Sequence, residues 1–223
     1  MLTNEQSALL TNGAKLLHVE LTKDHIAQIA IYLEELKRWA KIADLVSQSD
    51  PEVIIRKHIL DSLTALAALP ERGRLLDLGS GAGFPGLPLA ITNPSLAVTL
   101  LEPRRKRVNF LKEVIRKANL TNTHAYEGRA EELERTSGWK SAFDAVITRA
   151  TWNLREFLTI AAPFVSADGI LVAMKGAKAK EELQSLSTEP AKIEFILRTE
   201  RGYQLPYGKE ERTIFTFTKK SST

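Results

Sequence analysis

The chain reads as an α/β protein: a parallel sheet covered on both faces, a helical segment ahead of it and an antiparallel hairpin behind. Three observations predict this. From Arg74 onward, short apolar runs alternate with amphipathic stretches, the rhythm of strand–helix–strand units. Residues 1–70 carry leucines and isoleucines at helical spacing and, apart from Gly13, no glycine. The tail holds two strand-like runs, Ile193 to Leu205 and Arg212 to Lys219, joined by a Pro-Tyr-Gly turn, which is the pattern of a hairpin.

Composition bounds the class. At 223 residues, with 43% hydrophobic and 26% charged side chains, the chain fits one soluble domain of ordinary size plus a small accessory segment. The expected division is a helical cap over 1–70 and a ligand-binding domain over 71–223. No apolar run approaches the ~20 residues that cross a bilayer. The start, Met-Leu-Thr-Asn-Glu-Gln, lacks the basic-then-apolar build of a leader. A cytoplasmic, membrane-free monomer is therefore expected. Cysteine is absent, which removes disulfides, thiolate metal sites and cysteine nucleophiles, and with them methylation of a pyrimidine carbon through a cysteine adduct. His18, His25, His58 and His124 show no H-x-x-x-H spacing, so no metal is expected. The net charge of +4 and pI near 9.2 are mildly basic; where the charge sits matters more.

In chain order, Asn4 is placed to cap a helix through Leu9, Leu10, Leu16 and Leu17. Thr22 or Asp24 caps a second, with Ile26, Ile29, Leu33 and Leu36 on one face. Asp50-Pro51-Glu52 combines a capping carboxylate, a proline at the first helical position and an acid in the first turn. The helix it starts runs through Ile54, Ile55, Ile59, Leu60, Leu63 and Leu66. Beyond it, strands are predicted at 74–78, 96–101, 122–127, 143–148 and 168–174. Helices are predicted at 86–92, 104–118, 129–135, 153–164 and 178–187.

The stretch Leu75 to Ala90 organises the rest. An apolar run ends in Gly79, Gly81, Gly83 and Gly86, and a second apolar stretch follows. Glycines allow positive φ and close approach of backbone N–H groups to a ligand, and a helix N-terminus adds partial positive charge. Glu102 ends the next apolar run, at roughly the twenty-residue spacing at which a carboxylate meets ribose hydroxyls. These features predict nucleoside binding without separating a dinucleotide from S-adenosylmethionine. The hairpin tail favours a Rossmann-like methyltransferase sheet, since a dinucleotide fold would repeat its βαβαβ half.

Three further groups sit at the same sheet edge. Arg129-Ala130-Glu131 follows the third strand and reads either as an adenine-edge contact or as an ordinary helix start. Arg149 ends the fourth strand and is placed for a cofactor carboxylate or an RNA phosphate. Lys175 ends the fifth. In addition, Arg104, Arg105, Lys106, Arg107, Lys112, Arg116 and Lys117 stand against Glu113 alone. Basic residues in a first helical turn oppose the dipole, so a polyanion-facing mouth explains them better than helix stability does. Lys37, Arg38, Lys41, Arg56 and Lys57 extend that patch from the cap.

Asp77-Leu-Gly-Ser-Gly-Ala-Gly-Phe-Pro-Gly-Leu-Pro-Leu-Ala90 follows Lys57-His58-Ile59-Leu60-Asp61-Ser62-Leu63. Further on come Lys106-Arg107-Val108, Arg129-Ala130-Glu131, Thr148-Arg149-Ala150 and Met174-Lys175-Gly176. In this order and spacing they resemble the bacterial methyltransferase G family, also called glucose-inhibited division protein B, from about Trp39 to the tail. The resemblance implies a class I S-adenosylmethionine-dependent fold and methyl transfer to guanine N7 in small-subunit (16S) ribosomal RNA, as free RNA or as a ribosomal particle. It implies cofactor contacts at Gly79, Gly81, Phe84, Ala130, Glu131 and Arg149, with Glu102 on the ribose. Lys106, Arg107, Arg129, Lys175 and Arg212 resemble the family's basic residues near RNA. No general base is expected, because purine N7 already has a free in-plane lone pair. The chain departs from the family where Asp44-Leu45-Val46 stands for the usual Asn-Leu-Thr. Three rivals stay open: a small-molecule methyltransferase, a nicotinamide oxidoreductase, and a non-catalytic ribosome-assembly factor.

Overall fold

Thr3, not Asn4, starts the first helix. The computed structural model describes residues 2–46, 50–149, 151–188 and 194–220. In it the Thr3 hydroxyl accepts from Gln6 N–H, and the Gln6 side chain returns the bond to Thr3 N–H. That reciprocal box satisfies two orphan donors, where Asn4 one position later satisfies neither. Helix α1 is Asn4–Leu16 and α2 is Lys23–Ala43, the latter capped by Thr22 with His25 completing the same box. Asp50 Oδ1 accepts from Glu52 N–H at 2.8 Å and starts α3, Pro51–Ile54. The chain then widens into a π-turn at Ile55–Ile59, tightens as α4, Leu60–Leu63, and ends in a 3₁₀ stretch at Thr64–Ala68.

The alternating part follows the predicted order. Strand β1 is Gly73–Leu78, α5 Gly86–Thr92, β2 Leu96–Glu102, α6 Arg105–Lys117, β3 Thr123–Glu127 and α7 Ala130–Leu133. Then come β4 Phe143–Arg149, α8 Leu154–Ala161, β5 Val165–Lys175, α9 Ala179–Thr188, and the hairpin strands β6 Phe195–Gln204 and β7 Glu211–Lys219. Helices α7 and α8 are shorter than predicted. Strand β5 starts earlier than predicted, because a register shift between Phe143 and Ala145 lets Val165 pair before Ile170 does. Of the residues named for the tail and the fourth strand end, Ile193 and Ala150 lie outside the described residues.

The strands lie in the order β3-β2-β1-β4-β5-β7-β6. Strands β1 to β5 pair in parallel, β7 runs antiparallel to β5, and β6 runs antiparallel to β7. The order reverses between β1 and β4, and ligands of such sheets bind at the carboxyl ends beside that reversal. Alternation along β1 sends Leu75 to one face and Leu76 and Leu78 to the other. The Leu75 face shares one apolar core with α5, α6 and the N-terminal helices, including Leu10, Ile29, Tyr32, Leu36, Ile55 and Leu60. The opposite face is covered by α7, α8 and α9, with Phe157 and Phe164 fully buried. Among the described residues no helix is long and apolar enough to cross a membrane.

Tyr32 ties the helical segment to the glycine-rich loop. It is fully buried, its hydroxyl donates to Ala82 O at 2.5 Å, and its ring packs 5.4 Å from Phe84 and 6.2 Å from Phe110. Replacing it by phenylalanine keeps the packing and strands the Ala82 carbonyl in the core. Tyr32→Phe is expected to lower unfolding free energy by about 1–3 kcal/mol; a urea midpoint equal to that of the parent protein would contradict this bond's role.

Candidate functional site

The loop after β1 is built from backbone bonds before any side chain contributes. Gly79 N–H and Ser80 N–H both donate to Leu101 O, and Gly83 N–H closes back on Ser80 O at 2.7 Å. Gly79 has φ +69°, and a Cβ there would meet Thr151 at 3.1 Å, so both its conformation and its surroundings require glycine. The start of α5 is turned inward: Gly86 N–H donates to Asp77 Oδ2 at 3.0 Å. The helix dipole expected to face a ligand is therefore spent on a buried carboxylate. Gly86 has its own packing reason, since a Cβ would lie 2.2 Å from Leu100.

Glu102, only 3% exposed, is held by two backbone donors. Gly81 N–H reaches Oε2 at 3.0 Å and Arg104 N–H reaches Oε1 at 2.9 Å. Each oxygen keeps a lone pair beyond these bonds, so the carboxylate is oriented yet still able to accept hydroxyl donors. Arg129, exposed, precedes α7, with Ala130 buried and Glu131 exposed at its start. They follow Glu127, which pairs in register with Glu102, so the two acidic strand ends lie side by side.

Arg149 sits where β4 ends beside β1, and its guanidinium points into the helical segment. Nη1 donates to Asp61 Oδ2 at 3.1 Å and to Lys57 O at 3.4 Å, while Nη2 lies 3.0 Å from His58 Nδ1. An arginine can only donate, so His58 accepts through Nδ1 and carries its proton on Nε2. The guanidinium also lies 5.1 Å from the Phe84 ring centroid, and His58 stacks on that ring at 5.0 Å. Asp61, 3% exposed, accepts in addition from Tyr203 OH at 2.9 Å and faces Arg212 Nε at 3.8 Å. Burial, then the charges of Arg149, Lys57 and Arg212, push His58 down to about 4. Its ring is neutral at physiological pH. Removing Arg149 would leave the Asp61 charge buried with weaker partners, a change that costs about 3–5 kcal/mol in such settings.

Two clefts meet at this cluster. One, of about 330 Å³, is lined by Gly79, Gly81, Phe84, Val46, Arg107 and Thr151; the other, of about 320 Å³, by Lys57, Asp61, Met174, Lys175, Gly176 and Arg212. His58 and Arg149 line both. Arg107 is half-buried and clamps the end of α2, with Nη2 donating to Asp44 O at 2.7 Å. Asp44 is exposed in the left-handed conformation at φ +48°. Lys175 is 5% exposed; it pairs with Glu182 at 2.9 Å and donates to Trp152 O. Lys106 is exposed, as are Arg104, Arg105 and Lys112. The far end of α6 is neutralised by Arg116–Glu113 and by Lys117 with the buried Glu35. His58, Asp61 and Tyr203 received no role from the sequence. The available signal was a histidine and an aspartate interrupting the apolar face of Ile55, Ile59, Leu60 and Leu63.

The profile of a family described as rRNA small subunit methyltransferase G (GidB) matches residues 25–203. The chain belongs to that family. It is 35% identical, over its full length and 93% of the relative, to ribosomal RNA small subunit methyltransferase G of Desulfitobacterium hafniense. The corresponding protein of Syntrophus aciditrophicus is 36% identical over 96% of this chain and 90% of that one. Among solved structures, precorrin-6y C5,15-methyltransferase from Geobacter metallireducens superposes with TM-score 0.52 at 15% identity, covering 79% of this chain and 91% of its own. TrmN from Thermus thermophilus gives 0.54 at 20% identity, covering 74% and 53%. The fold is thus the Rossmann-like sheet of class I methyltransferases.

Asp77 gives the site a pH signature. Its Oδ1 is buried without a partner, and burial raises the carboxyl to about 7 despite the Gly86 N–H. Unfolded aspartate titrates near about 3.9, so between about pH 4 and 7 the folded chain holds a proton that the unfolded chain has lost. Stability from this group is full below that window and falls as pH rises through it. His58 acts in the opposite sense, costing stability as pH falls from 6.5 toward about 4. Comparing Asp77→Asn with the parent isolates the first effect. The variant's urea midpoint, relative to the parent's, is expected to rise from about pH 4 to about pH 7 and level off above. A difference that does not vary with pH would show Asp77 to be ionised in the folded state throughout.

Proposed function

We propose that this protein transfers a methyl group from S-adenosylmethionine to N7 of a guanine in small-subunit ribosomal RNA. The observation that carries the reading is the pair of clefts sharing His58 and Arg149 at the sheet reversal, one on the glycine loop and one on Met174–Gly176. Membership of the rRNA methyltransferase family supports the substrate class. The residues fit the cofactor: a glycine loop whose missing side chains leave room beside it, a doubly oriented carboxylate in Glu102 and an apolar wall at Phe84.

When bound, S-adenosylmethionine supplies an electrophilic methyl group on a sulfonium. Glu102 would accept from the ribose hydroxyls, the Gly79 and Gly81 backbone and Phe84 would hold the methionine side, and the start of α7 at Ala130 and Glu131 would border the adenine. Arg149 fixes the wall between the clefts. Guanine N7 would form the new bond to the methyl carbon with its own lone pair as the sulfur–methyl bond breaks and S-adenosylhomocysteine leaves, so no side chain need take a proton. The work of the protein is alignment. In an A-form RNA helix N7 lies in a deep, narrow groove, so an unpaired or flipped nucleotide suits the reaction, and the Met174–Gly176 cleft would receive it. Neutral His58 suits a reaction that moves positive charge onto the base, because an imidazolium there would oppose it. Lys106, Arg107, Arg129, Lys175 and Arg212 would meet the RNA, with Lys175 first exchanging its Glu182 partner. We take residues 1–70 as a cap on a catalytic domain of 71–223, acting as a cytoplasmic monomer on free RNA or on the ribosomal particle.

The test is methyl transfer from labelled S-adenosylmethionine to small subunits from a strain lacking the modification, with the product base identified. Labelled 7-methylguanine at one position is expected. Cofactor binding without RNA labelling would overturn the reading in favour of an assembly factor. Arg149→Lys keeps the charge but loses the fork to Asp61 and His58, and is expected to lower transfer at least about tenfold. Lys106→Ala is expected to weaken RNA binding, reduce the slope of log affinity against log salt by about one, and leave cofactor affinity unchanged. An unaltered slope would remove Lys106 from the RNA interface.

A further inference from the structure

A groove of about 910 Å³ runs between the start of α3 and the turn joining β6 to β7, walled by Arg56, Lys57, Pro206, Tyr207, Lys209 and Glu210. Lys57 also lines the Met174–Gly176 cleft, so the groove and the candidate base-binding cleft share that residue as a wall. Within it Tyr207 is 47% exposed. The turn that presents Tyr207 is costly to make with tyrosine. Gly208 N–H donates to Leu205 O at 3.1 Å, Pro206 takes the second position, and Tyr207 takes the third with φ +63°. That is the type II pattern, whose third position favours glycine or asparagine. The ring is half exposed in the groove while its inner edge packs toward Gly13 of α1, where a Cβ would lie 3.1 Å from Tyr207 Cε2, and strain of this kind marks functional positions.

The surrounding charges say what the ring faces. The Arg56 guanidinium lies 5.8 Å from the Tyr207 ring centroid. Arg56 also pairs with Glu52 at 3.4 Å and Lys57 with Glu210 at 3.5 Å, while Asp50 adds a further acid. Lys209 has no carboxylate partner among the described residues. Cations and acids therefore nearly balance, which does not suit a row of phosphates. The groove offers a tyrosine ring with the Arg56 guanidinium over one face, and aromatic rings and guanidinium planes are surfaces on which unpaired bases stack.

We propose that Tyr207 is a stacking platform for an unpaired RNA base close to the target guanine. This rests on the RNA methyltransferase reading above. Tyr207→Gly relieves the turn but also removes the ring's packing against α1, so its melting temperature is measured beside those of the Phe and Trp variants, which keep that packing; cofactor affinity is expected to be unchanged. KM for unmodified small subunits, and Kd for protein-free small-subunit RNA, are both expected to rise roughly five- to one-hundred-and-fifty-fold, the range for losing one base–aromatic stack. Tyr207→Phe and Tyr207→Trp keep a π face and are expected to stay within about twofold of the parent. Parent-like values for Tyr207→Gly would overturn the proposal, as would Phe and Trp variants as impaired as the glycine one. A loss seen with intact subunits but not with protein-free RNA would assign the groove to a ribosomal protein and equally overturn it. Should the parent transfer no methyl group, the Kd comparison still decides the role of Tyr207 on its own.

Discussion

The Asp61–Arg149 ion pair joins the two parts of the molecule on which the site depends. Arg149 ends the strand beside the reversal of the sheet, and Asp61 lies in the helical segment before the sheet begins. Both are largely withdrawn from water, so each needs the other: a buried charge without its partner is far more costly than the pair. The pair positions more than itself. The same guanidinium holds His58 in one tautomer and covers Phe84, while the same carboxylate receives Tyr203 from the hairpin. The helices, the central strand, the glycine loop and the tail therefore meet at one pair of side chains, and both clefts open against it.

Charge is distributed so that the chemistry and the recognition do not compete. Around the shared wall, arginines are fixed by carboxylates and carbonyls, and the imidazole of His58 among them is kept neutral by burial and by its cationic neighbours. The exposed positive charge lies farther out, at Arg104, Arg105 and Lys106, where it can attract a polyanion without adding to the charge at the reacting centre. Arg107, within the same basic run, acts mechanically: it grips the end of α2 and sets where Leu45 and Val46 close over the glycine loop.

Much of the fold was legible because local chemistry decides it. The strand–glycine–helix sequence at Leu75 to Ala90, the carboxylate at Glu102 and the hairpin tail each follow from neighbours in the chain. Boundaries missed by a residue or two reflect cap competition, as where Thr3 with Gln6 outbids Asn4. The site was legible in its inventory and not in its connections. Arg149 reads as a lone strand-end charge until the fold brings Asp61 against it, and nothing within either segment records the other. Lys175 has the same difficulty, since the acid that buries it, Glu182, is carried in by the following helix. The π-turn at Ile55–Ile59, which displays Lys57 and His58, leaves no periodicity signal distinct from an ordinary helix.

The bond from Tyr203 to Asp61 spans 142 positions of the chain, and this separation has a kinetic meaning. Contacts between distant segments close slowly, because the intervening chain must be ordered before they return any stability. The helical segment can acquire local structure early, yet its polar face toward the sheet stays incomplete until β7 has inserted beside β5 and carried β6 with it. The polar cluster around Asp61 is thus complete only when segments from both ends of the chain have met.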